Sequence, residues 1–357
     1  MAAPMTHERE LTAPVDLCSS DGGLLDPAAR GWSRRPLHRC NLAGGWGRTK
    51  RWDYWAVLTD DLVIAVTYAD VDYLGLASVW WVDLATGRAG GRDVAVPGAH
   101  GFHLPDRMGD EPMSYSGRNL QLELADDDSG TRIEAAWKER DGTRGSVSAR
   151  VDLPEGHESL NVVIPWSDRR FQFTSKHQAR PARGTFTLGS VSRSFGNPDS
   201  IVGPSGARRV DAAWGVLDVG RGRWPYRTRW NWGGGAGVST DDRVVGLQLG
   251  GKWTEGTGFT ENGIIVDGRL TKIGEELTWS YDWDQPLGPW RVTDPSGSLD
   301  LTLLPTYDRH TKVEAIVAGT EVHQVFGRWS GRVTDERGDA IEVESVLGFA
   351  EESRSRW

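Results

Sequence analysis

The residues best suited to chemistry lie close together between Asp218 and Gly237. Polar side chains are interspersed there with indole and phenol rings, and a glycine run follows them (Asp218, Trp224, Tyr226, Arg229, Trp230, Asn231, Trp232, and Gly233 to Gly237). A core strand needs few polar groups, and a solvated loop needs no indole. The combination is typical of a pocket wall, in which aromatic faces contact a ligand and glycines let the backbone approach it. The simpler alternative is an aromatic-rich strand pair that ends in a glycine turn.

Asp218 is the candidate general acid of this stretch. Exclusion of water by the neighbouring rings would raise the pKa of its carboxyl, so that it could donate a proton near neutral pH. Binding of turn amides is the more common role of an aspartate beside glycines. Tyr226, Arg229 and Asn231 would position the ligand. Side chains alternate between the two faces of a strand, so Arg229 and Asn231 would face one side and Trp230 and Trp232 the other. The sequence leaves open which of these two faces lines the pocket.

A second set of candidates lies in the segment from Trp253 to Asn262. Glu255 and Glu261 are six residues apart, and a facing carboxylate pair can hydrolyse a glycosidic bond. We expect Trp253 and Asn262 to contact the ligand. The alternative is a structured hairpin with its turn at Asn262 and Gly263.

Lys176 and His177 end a predicted strand in the first half of the chain, and we expect both to bind the ligand. A histidine can move protons near neutral pH, although a lone histidine is more often a structural donor. No His-x-His or His-Glu-x-x-His spacing occurs, and no predicted helix follows the glycine-rich stretches to bind a phosphate. We therefore predict no metal site and no cofactor.

Composition excludes several classes of protein. The 357 residues carry a formal charge of −9 without a basic block, so we predict no nucleic-acid partner. No apolar run is long enough to be a transmembrane segment, and the N-terminal residues lack the apolar region of a signal peptide. Two cysteines, Cys18 and Cys40, are too few for a disulfide framework. A cytoplasmic protein is the simplest interpretation.

Apolar residues recur with a period of two along most of the chain, which predicts short antiparallel strands. The segments 62–68 and 119–124 are clear examples, and Pro181 is expected to separate a strand at 171–178 from one at 184–188. The predicted fold class is all-β, with two side-by-side antiparallel barrels or sandwiches, because closure removes open sheet edges. We expect an irregular segment (1–50) packed on the body, a first β domain (51–193) and a second β domain (194–357) that carries the pocket.

Several longer stretches together resemble a known family. They are Leu24–His38, Lys50–Trp55, Phe173–Gln178, Leu217–Trp232, Gly250–Asn262, His323–Gly327 and Gly348–Glu352. On these residues the chain resembles the domain-of-unknown-function family numbered 2804 over essentially its whole length. The layout is also similar, more distantly, to the double lipocalin-like proteins that include carotenoid hydratases and tocopherol cyclases. That resemblance implies a β-walled pocket for an apolar ligand, with acid-catalysed addition or cyclisation in some members, and it assigns no catalytic residue here.

The residues and the resemblance lead to one main functional prediction. The protein is expected to bind a largely apolar or aromatic-stacking small molecule in a tryptophan-lined pocket formed mainly by its second half. It would act on that molecule by hydration, isomerisation or cyclisation through acid–base chemistry. A non-catalytic carrier of lipids or other small molecules, and a glycoside hydrolase with paired carboxylates, are the alternatives.

Overall fold

The computed structural model describes residues 6–196, 212–314 and 319–356. Residues 197–211, near the predicted start of the second β domain, lie outside these ranges. Within them the chain forms 24 β-strands and a single short 3₁₀ turn at Pro27–Ala29, where Asp26 accepts a hydrogen bond from the Ala28 amide. The predicted all-β class, with two antiparallel units side by side, is confirmed. The described ranges contain no apolar helix of membrane-spanning length.

The first sheet contains 13 strands, and its neighbouring strands are antiparallel. They are β2 (Trp32–Ser33), β4 (Thr49–Leu58), β5 (Leu62–Asp70), β6 (Leu74–Asp83), β7 (Arg88–Pro97), β8 (Met113–Ser116), β9 (Leu120–Asp127), β10 (Gly130–Lys138), β11 (Arg144–Asp152), β12 (Leu160–Ser167), β13 (Arg170–Leu188), β14 (Val191–Phe195) and β15 (Trp214–Arg223). Along the main path the order is β7-β6-β5-β4-β15-β13-β11-β10-β9-β8. Two further short strands, β1 (Val15–Asp16) and β3 (His38–Arg39), pair with each other in parallel.

The second sheet contains nine strands in the order β19-β18-β17-β16-β24-β23-β22-β21-β20. They are β16 (Arg227–Val238), β17 (Val244–Gly251), β18 (Asn262–Val266), β19 (Arg269–Ile273), β20 (Thr278–Ser280), β21 (Trp290–Thr293), β22 (Leu299–Glu314), β23 (Gly319–Thr334) and β24 (Ala340–Arg356). Both sheets curl into half-barrels. Because β15 pairs with β4 and β13, the chain passes from the first sheet to the second at residues 224–226.

The break predicted at Pro181 is wrong, since β13 runs without interruption through this residue. The pairing of β13 with β15 shifts register between His177 and Arg180, and Ala179 has a positive φ of 56°. This bulge bends the strand, so that Pro181 is accommodated at its pairing with Trp214, the first residue of β15.

The period-two pattern of the strands produces three apolar layers. One face of the first sheet curls around a core that includes Trp55, Leu217 and Val219. One face of the second sheet encloses a core that includes Trp290 and Trp329. The opposite faces of the two sheets pack against each other through a third cluster (Ala56, Leu58, Val63, Ala65, Val82, Val216, Trp232, Phe326, Leu347 and Phe349). The candidate site continues this third layer.

Candidate functional site

A cavity of about 370 Å³ lies between the two sheets. Its lining comes from both of them and from the loop before β18: Trp52, Tyr54, Thr67, Ala69, Val71, Leu76, Gln172, Thr174, Lys176, Asp218, Trp224, Trp230, Trp232, Trp253, Glu261, Arg309, Thr311, Thr320, Val322, Gln324, Glu351, Ser353 and Ser355. Thr311 is exposed, so the cavity reaches the surface at that end. The sequence predicted a pocket formed mainly by the second half, whereas this cavity takes much of its wall from strands of the first sheet.

Strand alternation decides which side chains enter the cavity. On β16, Trp230 and Trp232 face it, while Arg229 and Asn231 face the interior of the second half-barrel. On β24, Glu351 faces the cavity and its neighbour Glu352 faces the other way. The question that the sequence left open for β16 is thereby answered: the indole face lines the cavity.

One lysine forms the polar centre of the cavity. Lys176 Nζ lies 2.8 Å from Asp218 Oδ1 and 3.4 Å from Glu261 Oε2. The same ammonium group lies 4.4 Å from the ring centroid of Trp232, within the range of a cation–π contact. Burial alone would lower the pKa of Lys176, but the two carboxylates outweigh burial and raise it, so Lys176 is a cation in the folded protein.

Three tryptophans donate their indole N–H groups to the three carboxyls that line the cavity. Trp52 donates to Asp218 Oδ2 at 3.1 Å, and Trp253 donates to Glu261 Oε1 at 2.9 Å. Trp230 donates to Glu351 Oε1 at 2.8 Å. A buried indole needs an acceptor for its N–H group, and here the acceptor is a carboxyl oxygen. Each carboxyl is thus held in place by a tryptophan whose ring is otherwise apolar. The tryptophans therefore fix the acids while presenting their ring faces to a ligand.

Two of these carboxyls have strongly raised pKa values. Burial, with the charge of Asp218 nearby, raises the pKa of Glu261 to about 7, against the lowering effect of Lys176. Burial likewise raises the pKa of Glu351 to about 7, although Trp230 and Lys176 lower it in part. Glu261 Oε2 is buried and accepts no hydrogen bond of normal length, since its ion-pair partner Lys176 Nζ lies 3.4 Å away, whereas Glu351 Oε2 accepts a bond from Gln324 at 3.0 Å. Glu261 is therefore the acid whose second oxygen is the less engaged and can carry a proton.

Rings also form a continuous aromatic wall around Trp224. This indole stacks on Trp253 with centroids 5.4 Å apart and planes at 13°, and it contacts Trp52, Trp166 and Trp230 at centroid distances of 5.6, 5.1 and 5.9 Å. Its N–H donates to Gln172 Oε1 at 2.8 Å. Such a wall suits a flat or apolar ligand, because it offers ring faces rather than competing hydrogen bonds.

Arg229 and Asn231 belong to a separate network behind this wall. Arg229, Lys252 and Arg354 all contact the Glu352 carboxylate, and Tyr281 donates its hydroxyl hydrogen to it. Glu352 is buried, which would raise its pKa, but these partners lower it to about 2. Asn231 Nδ2 donates to Tyr281 Oη at 3.0 Å. The network is a charged brace inside the second half-barrel rather than part of the cavity lining.

Five further predicted features lie away from the cavity lining. Glu255 is exposed in its loop, and Tyr226 is 40 % exposed, with the Arg48 guanidinium over its ring. Asn262 instead accepts from the Gly250 amide at 2.6 Å and donates to the Glu275 carbonyl at 2.9 Å. His177 faces the opposite side of β13 from Lys176, and its Nε2 contacts Ser175 Oγ at 3.1 Å. In the glycine run, a Cβ on Gly234 would lie 2.7 Å from the Phe349 ring, so close packing rather than ligand approach requires glycine there.

Sequence reasoning missed Trp52, Glu351 and the Arg309–Gln324 pair of the cavity wall. Trp52 is 166 residues away from the Asp218 that it contacts, so no local pattern links them. Glu351 directly follows the apolar segment 346–350 and stands beside Glu352. Two adjacent acids in a buried strand must face opposite sides of the sheet, and that signal could have pointed to Glu351.

Comparison with solved structures gives matches of low sequence identity. The crystal structure of CghA with Sch210972 is 11 % identical, covers 95 % of this chain and 97 % of that chain, and has a TM-score of 0.44. The crystal structure of kievitone hydratase from Nectria haematococca is 9 % identical, with coverage of 87 % and 89 % and a TM-score of 0.47. No curated protein sequence matches the chain. A family model, Domain of unknown function (DUF2804), matches residues 8–357, and the chain belongs to that family.

Proposed function

We propose that the protein binds a largely apolar, unsaturated small molecule in the cavity between its sheets and protonates it from Glu261. The products would be those of hydration, isomerisation or cyclisation. The observation that carries the proposal is a buried glutamate with a pKa raised to about 7 in an indole-lined cavity. A carboxyl with this pKa is partly protonated at neutral pH, as a general acid requires.

Asp218, our first candidate from the sequence, is assigned a different role in this proposal. Its Oδ1 pairs with Lys176 at 2.8 Å and its Oδ2 accepts the Trp52 N–H at 3.1 Å. Both oxygens are thus engaged, and the carboxylate balances the lysine charge. Lys176 in turn lies 3.4 Å from Glu261 Oε2, where it stabilises the carboxylate that remains after proton transfer.

The reaction begins when Glu261 Oε2 transfers its proton to one carbon of a ligand double bond. The π electrons form the new C–H bond, and the neighbouring carbon becomes cationic. Indole faces of Trp224 and Trp230 stabilise this cation through their π electrons. Water attack followed by loss of a water proton gives hydration, loss of a neighbouring C–H proton gives isomerisation, and attack by a hydroxyl oxygen followed by loss of its proton gives cyclisation. Attack by a second double bond also closes a ring, but it leaves a new carbocation that must then lose a C–H proton. The proton released at the end of each route returns to the Glu261 carboxylate, so atoms and charge balance.

The two alternatives from the sequence differ in what they require. A carrier needs the same aromatic wall but no acid, and only turnover separates it from an enzyme. A glycoside hydrolase needs the scissile bond between two facing carboxyls. Lys176 Nζ lies between Asp218 and Glu261, and Glu255 is exposed, so the carboxylates predicted from the sequence do not favour glycoside hydrolysis.

Solvent deuterium provides the test. The protein is incubated in D₂O with a panel of apolar compounds that carry isolated or conjugated double bonds, and mass spectrometry follows carbon-bound deuterium. We expect protein-dependent incorporation with at least one compound, loss of it in Glu261→Gln, and retention in Glu255→Gln, the exposed control from the same loop. Undiminished incorporation in Glu261→Gln would refute the assignment of the acid. Binding of the compounds without any incorporation would favour a carrier.

A further inference from the structure

A cluster of two histidines and a glutamate lies on the β22–β23 ribbon. His310 on β22 pairs directly with His323 on β23, and Glu321 precedes His323 by two residues on the same face. The imidazole rings stack with centroids 4.2 Å apart and planes at 3°. One ligand atom from each of the three residues lies within 4.8 Å of the other two. Sequence spacing could not predict this cluster, because its members face each other across two strands.

Hydrogen bonds orient the donor atoms of the cluster. Asp308 Oδ2 lies 2.8 Å from His323 Nδ1, which leaves Nε2 of that ring as the nitrogen free to coordinate. A carboxylate bonded to the second nitrogen of a histidine is the usual support of a metal-binding imidazole. Lys312 binds Glu321 Oε2 at 3.1 Å, while Glu321 Oε1 lies 3.1 Å from His310 Nε2. These two contacts fix the position of the Glu321 carboxylate beside His310.

The surroundings hold His323 rigidly while His310 reaches solvent. His323 is buried, and the edge of Trp283 contacts its ring at a centroid distance of 4.5 Å. Arg354 lies 3.6 Å from the Trp283 centroid and shares the Glu352 carboxylate, at 2.7 Å from Nε to Oε1, with Arg229 and Lys252. The side chain of His310 is 43 % exposed, so an ion has a route of entry. The buried Asp308 Oδ1 has no hydrogen-bond partner, which leaves negative charge beside the cluster.

We propose that His310, Glu321 and His323 form a binding site for a divalent transition-metal ion of the Zn²⁺ type. Two imidazoles and one carboxylate match the ligand preference of zinc, and three protein ligands leave a coordination position open for water. The site lies on the opposite face of the ribbon from the cavity, toward which Arg309 and Gln324 are directed. It is therefore independent of the proposed proton transfer from Glu261, and either proposal can fail without the other.

Calorimetric titration of Zn²⁺ into tag-free protein tests this site, with Co²⁺ absorption as a second readout of the ligand set. We expect saturable binding of one ion per chain, at least tenfold weaker in His310→Ala and in His323→Ala. Asp308→Asn should weaken binding about 10- to 100-fold, because it removes the support of His323. His103→Ala is the matched control, since His103 also faces a glutamate, Glu111, at 3.6 Å but belongs to no group of three potential ligands among the described residues.

Circular dichroism of each variant establishes that a loss of binding is not a loss of fold. The proposal is overturned if the wild-type protein shows no saturable Zn²⁺ binding. It is equally overturned if folded His310→Ala and His323→Ala bind as tightly as the wild type.

Discussion

Replacing Glu261 with glutamine should change how the stability of the protein depends on pH. The pKa of Glu261 is raised from 4.5 to about 7, with burial as the main cause. Below pH 4.5 the carboxyl is protonated in both the folded and the unfolded chain. Above that pH the unfolded chain releases its proton first, so the free energy of unfolding falls as pH rises. The fall ends near pH 7, where the folded protein releases the same proton.

The size of the effect follows from the pKa difference. One pKa unit corresponds to about 1.4 kcal/mol, so Glu261 should reduce the stability by roughly 2.5 kcal/mol between about pH 5 and pH 8. Glutamine keeps an oxygen for the Trp253 N–H, and Lys176 keeps Asp218 at 2.8 Å. The variant should therefore fold, and its unfolding free energy should fall less over this range. Glu351 is present in both proteins and cancels to a first approximation.

Urea unfolding at several pH values measures this difference directly. Glu255→Gln serves as the control because its side chain is in the same loop but exposed, and it should follow the wild type at every pH. If Glu261→Gln and the wild type had parallel stability profiles from pH 5 to pH 8, the carboxyl would not carry a raised pKa. The inference from burial to proton donor would then be refuted.

Three other substitutions give further tests. Trp253→Phe removes the N–H that lowers the pKa of Glu261, so the midpoint of the Glu261-dependent stability change should move to higher pH; an unchanged midpoint would contradict this. Lys272→Met should lower the free energy of unfolding, measured in urea, by about 3–5 kcal/mol, because Glu8, 2.5 Å from Lys272 Nζ, becomes a buried charge without its cationic partner. A decrease under about 1 kcal/mol would contradict this expectation. Gly220→Ala would place a Cβ 2.2 Å from the Trp52 ring, so we expect about 1–3 kcal/mol of destabilisation. The displaced Trp52 should also weaken the binding of a fluorescent apolar probe. An unchanged probe affinity would show that Trp52 does not line the binding site.

The strands themselves could be predicted because alternation records which face of each strand is buried. The segments 62–68 and 119–124 fall on β5 and β9, which extend two and three residues further along the chain. Sheet membership could not be predicted in this way. Strand β15 belongs to the first sheet because it pairs with β4, more than 150 residues earlier, and no local pattern encodes that partner. The long β13 also escaped prediction, because a bulge lets it continue past Pro181.

The candidate site was predicted in part for a similar reason. Tryptophans and acids near one another in the chain indicated a pocket wall, and Trp230, Trp232 and Glu261 do line the cavity. Their partners come from distant strands, as with Trp52 and Asp218. Which acid carries a proton depends on burial and on the charges around it, and the sequence contains neither quantity. The raised pKa of Glu261 arises only from contacts made by the folded chain.

Infrared difference spectroscopy of the protonated carboxyls provides the most direct measurement. Wild-type and Glu261→Gln spectra, recorded from about pH 5 to pH 9, report the carboxylic-acid C=O stretch of Glu261 alone. We predict a band that is present in the wild type below neutrality, disappears with a midpoint near pH 7, and is absent in the variant. A Glu261 that is already fully ionised at about pH 5 would contradict the account of this cavity as an acid site.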